Sequence, residues 1–164
     1  MTVDLTPSEF HVEKQRAHAS ITLSSGESLH GCFFVAGGSA RHAGPERVGD
    51  LLNSETGFFP FEIHAGADVR TVLLNRHHVV MVAVADNEAS RDPGYSVATR
   101  RVASVLLSNG QGVVGAVRVY MPEGRDRLSD WARHREMFRY VETAEATLII
   151  NIAHIIAVSE VIEP

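Results

Sequence analysis

The stretch "LLNRHHVVMV", residues 73–82, sets His77 and His78 side by side between two strongly apolar runs. Adjacent imidazoles raise three chemistries: metal ligation, acid–base catalysis, and the bonding of a tight turn. Successive residues of a strand point to opposite faces, so a strand would not let His77 and His78 grip one ion. No HExxH or Cys/His spacing accompanies them, and His42, His64, His134 and His154 are tied by spacing to no second ligand. No metal site and no cofactor are therefore expected, and the histidines are read as turn and surface residues.

A second pattern is Arg47-x-x-Asp50, matched by Arg127-x-x-Asp130. At i, i+3 on a helical turn such a pair forms an ion pair and bonds the adjoining backbone, which is a structural role. The segment "GRDRLSDWARHREMFR" (124–139) carries five arginines with Trp131 and Phe138 among them. Arginines interleaved with aromatics suit RNA or another anionic partner. Against that, Asp126, Asp130 and Glu136 dilute the charge, so a solvated face or a subunit contact is the preferred reading, with Trp131 a core residue. "FFVAGGSARHAGP" (33–45) lacks the lysine and threonine of a phosphate loop and reads as a flexible loop. Cys32, the only cysteine, lies in the apolar run "CFFV", which reads as a buried, inert thiol. No nucleophile elbow, Ser-His-Asp order, paired-carboxylate pattern or dinucleotide fingerprint is present, so no enzymatic activity is expected.

Composition narrows the classes further. The 164 residues are 45% hydrophobic and 21% charged, the balance of an ordinary globular chain. The formal net charge of -5 argues against a general polyanion binder. Fourteen of the fifteen basic residues are arginine, suited to planar paired contacts. The opening "MTVDLTPSEFHVEKQ" has no basic region followed by an apolar core, and no window approaches the roughly 18 apolar residues of a membrane span. A cytoplasmic protein with no membrane partner is expected.

The elements that must position these residues emerge from an internal repeat. "RAHASITLSSG" (16–26) and "RRVASVLLSNG" (100–110) agree at six of eleven positions, with Gly26 on Gly110 and, further on, Gly31 on Gly115. "RVGDLL" (47–52) then resembles "RLSDWA" (127–132), and "LLNRHHVVMV" (73–82) resembles "IINIAHIIAV" (149–158). His78 thus falls on His154 and Asn75 on Asn151, which makes Asn-x-x-His a repeated turn pattern before a strand. His77 has no counterpart, since Ala153 stands there.

The repeat gives a domain plan: a capped N-terminal helix over 1–15 (Thr6, Pro7 and Glu9 supplying the cap), a first unit over 16–84, a polar linker over 85–99 with Pro93-Gly94, and a second unit over 100–164. Alternating patterns predict strands near 17–24, 28–36, 58–64, 69–75 and 78–84. In the second unit they predict strands near 101–108, 112–121, 137–142, 146–151 and 154–161. Each unit has a short helical turn between its second and third strands, with Val48, Leu51 and Leu52, or Leu128, Trp131 and Ala132, on the apolar side. The expected class is mainly β: two tandem five-stranded small barrels, which would hide most sheet edges.

These residues carry a family resemblance. "SGESLHG" (25–31), with the looser "GQGVVG" (110–115), resembles the Gly-x-x-Leu-x-Gly that opens Sm-like barrels. Arg76-His77-x-Val79-x-x-Val82 is similar to the second motif of the bacterial Sm-like RNA chaperones. The resemblance covers both ends of each copy; the middle, where "RVGDLLN" stands, departs from it. It implies Sm-like or SH3-like topology, and assembly by adding the fourth strand of one unit to the fifth of the next. A tandem chain could pair its own units this way, and three chains could close a ring of six units. It also implies a nucleotide site at Asn75, Arg76 and His77, to which Arg125 and Arg127 are added as basic candidates. The expected function is a non-catalytic, homo-oligomeric scaffold that binds a protein partner, with RNA binding through the Arg76-His77 turn as the alternative.

Overall fold

The computed structural model describes residues 14–37 and 44–163. They form one antiparallel sheet of ten strands in the order β10-β6-β7-β8-β9-β5-β1-β2-β3-β4. The first half holds β1 (Lys14–Leu23), β2 (Ser28–Ala36), α1 (Val48–Ser54), β3 (Phe58–Ala65), β4 (Asp68–Asn75) and β5 (Val79–Val84). The second holds β6 (Thr99–Leu107), β7 (Gly112–Val119), α2 (Leu128–Ala132), β8 (Phe138–Glu142), β9 (Thr147–Asn151) and β10 (Ile155–Glu160). Each half runs fifth-first-second-third-fourth strand across the sheet, so the repeat in the sequence is also a repeat in topology.

Local chemistry is repeated too. In β1, Ala17, Ala19, Ile21 and Leu23 face the core while Arg16, His18 and Ser20 face away, the period-2 pattern of a half-buried strand. At both first hairpins a glycine takes the left-handed conformation that other residues resist (Gly26 φ 92°, Gly110 φ 85°). Gly31 marks a close approach: a Cβ there would lie 1.8 Å from the Glu62 carbonyl oxygen of β3. Both halves also carry an equivalent bulge where the fifth strand meets the first, between Thr22 and Leu23 and between Ile155 and Ala157.

Among the described residues no strand pairing joins β4 to β5 or β9 to β10, so neither half closes on itself. The two barrels expected from sequence are therefore one open sheet by strand pairing. What joins the halves is β5 against β9, with Met81 opposite Ile150 and Val82 opposite Ile149. Both strands are apolar on both faces because both faces are covered. Val79, Val82 and Val84 of β5 pack into the core of the first half, with Ile149 and Phe138 contributed by the second. Val80 and Met81 pack into the second core, with Val105, Val117, Trp131 and Ile150. Each half thus lends side chains to the other's core.

Two expected boundaries move. Residues 1–13 of the expected helix lie outside the described residues, and Lys14 and Gln15 belong to β1, paired with Ala36 and Val35. The 85–99 segment contains two 3-10 turns, Glu88–Arg91 and Tyr95–Val97, and Thr99 already belongs to β6. Of the expected 33–45 loop, Phe33–Ala36 belong to β2, and residues 38–43, His42 among them, lie outside the described residues. No described helix is long and apolar enough to cross a membrane.

Candidate functional site at the strand junction

The repeated Asn-x-x-His segments form equivalent 3-10 turns, Arg76–His78 and Ile152–His154, between the fourth and fifth strand of each half. In each the asparagine side chain accepts from the backbone two residues on: Asn75 from His77 N and Asn151 from Ala153 N, both 3.0 Å. In each the histidine Nδ1 lies 2.8 Å from a serine hydroxyl of the first hairpin, Ser24 or Ser108. At the junction the second turn does something more. Asn151 Nδ2 donates to the carbonyls of Arg76 (3.3 Å) and Val79 (3.0 Å), and His154 Nε2 donates to His77 O (2.7 Å). The pattern is therefore a clamp, by which the turn of one unit holds the backbone of the next unit's turn.

In the first half the same groups, Asn75 Nδ2 and His78 Nε2, have no hydrogen-bond partner among the described residues. They stand beside the open strand β4. Subtracting the 76-residue offset of the repeat, Ile149 of β9 corresponds to Leu73 of β4, and Val80 of β5 corresponds to Ile156 of β10. At the junction Ile149 and Val80 are 0% exposed; at the open edges Leu73 is 68% and Ile156 63% exposed.

No family model, curated protein or solved structure matches this chain. The site is read from its own geometry.

Of the residues that the sequence singled out for RNA, Arg76 and His77 border a cleft of about 320 Å³ together with Arg135. Asn75 is bound to its own turn, and Arg125 and Arg127 do not line that cleft: both are exposed on the loop that leads into α2. Arg76 is turned inward. Its guanidinium donates to Leu51 O and Leu52 O (both 3.1 Å) and to Phe58 O (2.9 Å), and it lies over the Phe59 ring. A cation on the last carbonyls of α1 is favourably placed, and burial lowers its pKa. That guanidinium is already saturated with carbonyl partners, which leaves His77 and Arg135 as the basic groups free to meet a ligand there.

The Arg-x-x-Asp motifs cap the helical turns. Asp50 accepts from Arg47 N (3.2 Å) and is gripped by Arg47 Nε and Nη2 at 3.0 and 2.8 Å, and the third guanidinium nitrogen, Nη1, meets Asp92 at 2.8 Å. Asp130 accepts from Arg127 N (2.9 Å), while the Arg127 side chain is exposed. Glu88, from the connecting segment, accepts from Val48 N and Gly49 N (both 3.0 Å) and from the Tyr140 hydroxyl (2.9 Å). One carboxylate thereby ties α1 of the first half to β8 of the second. Burial raises the Glu88 pKa above the usual carboxylate range, although these three donors pull it down. Beside this knot lies a cavity of about 270 Å³ whose walls include Arg47, Tyr120, Trp131, Arg139 and Tyr140. It is bordered by the connecting segment at Asp92, Pro93 and Gly94.

Sequence spacing missed one cluster. His18, Cys32 and His64 lie on three strands that only the sheet register makes neighbours, and one ring nitrogen of each histidine and Cys32 Sγ all fall within 4.8 Å of one another.

Proposed function

We propose that each five-strand half is an Sm-like barrel unit and that the chain is the repeating element of a homo-oligomeric ring, a non-catalytic scaffold. The observation that carries this reading is the pair of open edges. β4 and β10 expose at Leu73 and Ile156 the positions that the internal junction buries at Ile149 and Val80. Repeating the β5–β9 register between two chains sets Ala157 of one opposite Leu74 of the other, Val158 opposite Leu73, Ser159 opposite Val72 and Glu160 opposite Thr71. Carried two residues further, the register sets Ile162, 88% exposed, opposite Val69, 60% exposed. The same step places Asn75 Nδ2 on Ile152 O and Ile155 O of the neighbouring chain, and His78 Nε2 on Ala153 O. Edge strands with unpaired backbone groups and apolar side chains favour such addition. A head-to-tail contact closes into a ring where the rotation permits, and the resemblance to Sm-like units favours three chains. The ring then offers identical faces at fixed spacing to a protein partner.

Light scattering across protein concentration tests it. The wild-type chain is expected at three times the chain mass, and Leu73→Asp and Ile156→Asp should each weaken assembly more than about 100-fold. Leu73→Asp spoils only β4 and Ile156→Asp only β10. An equimolar mixture should therefore give a dimer, joined through the two intact edges, and nothing larger. A wild-type chain that is monomeric at tens of micromolar, or a Leu73→Asp chain that assembles normally, overturns the reading.

A second reading, RNA binding, draws on the cleft that His77 and Arg135 border at the junction turn. It requires salt-sensitive binding of uridine- or adenine-rich RNA that is lost in Arg135→Ala. No binding at low salt ends it.

A further inference from the structure

We propose that His18, Cys32 and His64 form a binding site for a thiophilic divalent cation of the zinc class. The register builds the site. His18 of β1 stands directly opposite Cys32 of β2, and Cys32 stands opposite Glu62 of β3. Cross-strand partners share a face, and His64, two residues beyond Glu62, shares it as well. This face lies opposite the one that packs Phe33, Phe61 and Ile63 into the core.

The donor set and spacing fit the ion. Tetrahedral zinc with nitrogen at about 2.0–2.1 Å and sulfur at about 2.3 Å has ligand-to-ligand edges of roughly 3.3–3.6 Å. Cys32 Sγ lies 3.3 Å from His18 Nδ1 and 3.9 Å from His18 Nε2, and the three donors fall within 4.8 Å of one another. Small side-chain rotations bring them onto one ion. A thiolate with two imidazoles selects a borderline-soft cation over calcium or magnesium, which demand oxygen.

The surroundings support ligation. Glu62 accepts from His64 Nε2 (2.8 Å), the carboxylate–histidine arrangement that fixes a ligand's tautomer and makes its other nitrogen more basic. Glu62 is itself held by Arg16 Nε (3.1 Å). Cys32 is fully buried and His18 exposed, so the ion enters from the His18 side. The fourth position falls to water or to Glu62. The other ionisable groups nearby on this face are Arg16 and His30, the latter bonded to Ser20 Oγ at 2.8 Å. On binding, the Cys32 S–H bond breaks, its electron pair forms the sulfur–metal bond, and the proton leaves to solvent. Burial beside Glu62 pushes the free thiol's pKa up.

Co²⁺ titration of the tag-free full chain tests the site, because a thiolate–cobalt bond gives a charge-transfer band in the near ultraviolet. One equivalent should bind with that band, and Zn²⁺ should displace it. Cys32→Ser should abolish the band. His18→Ala and His64→Ala, at positions that are not buried, should each weaken binding by at least roughly tenfold while leaving the circular dichroism unchanged. His30→Ala should bind as the wild type does. No charge-transfer band in the folded wild-type chain, a band that survives Cys32→Ser, or unchanged affinity in both histidine variants overturns the proposal. None of these readouts depends on the oligomeric state.

Discussion

The β5–β9 junction and the two open edges are built from the same sequence, copied once, yet they face different surroundings. At the junction Val80 and Ile149 are core residues, and Asn151 and His154 hold a neighbouring backbone. At the edges their counterparts Ile156 and Leu73 meet solvent, and Asn75 and His78 keep only the bonds within their own half. Within the chain the repeated motif joins two units once. In the proposed ring, the edges do with two chains what the junction does with two halves of one.

The largest expected effect separates core from edge directly. Ile149→Ala should cost about 2–5 kcal/mol, the usual loss for a large aliphatic side chain removed from a packed interior. That loss should be independent of protein concentration, because the residue is buried within one chain. Leu73→Ala should cost less than about 1 kcal/mol in dilute solution, with a loss that grows as concentration rises, because its burial depends on a second chain. Denaturant unfolding at two protein concentrations reads both. Equal, concentration-independent losses would erase the distinction between junction and edge.

Much of this comparison was legible in the sequence. The apolar alternation and the Ser/Asn-Gly turns placed all ten strands, and the repeat aligned Asn75 with Asn151. Three things were not legible. That the sheet stays open at β4 and β10 follows from long-range pairing, which leaves no local pattern, and the pairing of β5 with β9 was anticipated only through the Sm-like resemblance. The inward bonds of Arg76 left no trace because its partners are backbone carbonyls of α1 and β3, which carry no side-chain signature. His18, Cys32 and His64 are 14 and 32 residues apart in sequence, and only the cross-strand register brings them together. The resemblance to Sm-like proteins suggested that a fourth strand adds to a fifth, and the β5–β9 pairing is such an addition within one chain.

A smaller effect sharpens the comparison at the clamp. Asn151→Ala leaves the Arg76 and Val79 carbonyls at the junction without their donor and should cost about 1–3 kcal/mol. Asn75→Ala removes only the bond that Asn75 makes to His77 N and should cost about 0.5–1.5 kcal/mol to the single chain. In the assembled form Asn75→Ala should also weaken the contact between chains. Thermal unfolding of the two variants in a Leu73→Asp, Ile156→Asp background isolates the single-chain cost. If Asn75→Ala proves as harmful there as Asn151→Ala, the two turns are not used differently.

The smallest effect concerns a group that the junction has and the edges lack. Glu88 comes from the segment that joins the halves, so a contact between separate chains has no counterpart to its bonds with Val48 N, Gly49 N and the Tyr140 hydroxyl. Burial sets its carboxyl above the ordinary glutamate value of 4.5. A carboxyl raised on folding favours the folded state while it is protonated. That contribution is therefore fully present below about pH 4.5 and is lost as pH rises through the folded value. Its three donors offset part of the desolvation. Glu88→Gln, with its amide oxygen in the place of Oε1, keeps the acceptor for Gly49 N and the Tyr140 hydroxyl and has no proton to lose, so between pH 4.5 and neutrality its stability should fall less with pH than that of the wild type. Assembly through the open edges should titrate alike in both proteins, because no such carboxylate spans that contact. A Glu88→Gln chain whose unfolding free energy follows the wild-type pH curve would show that Glu88 does not tie the halves through its charge.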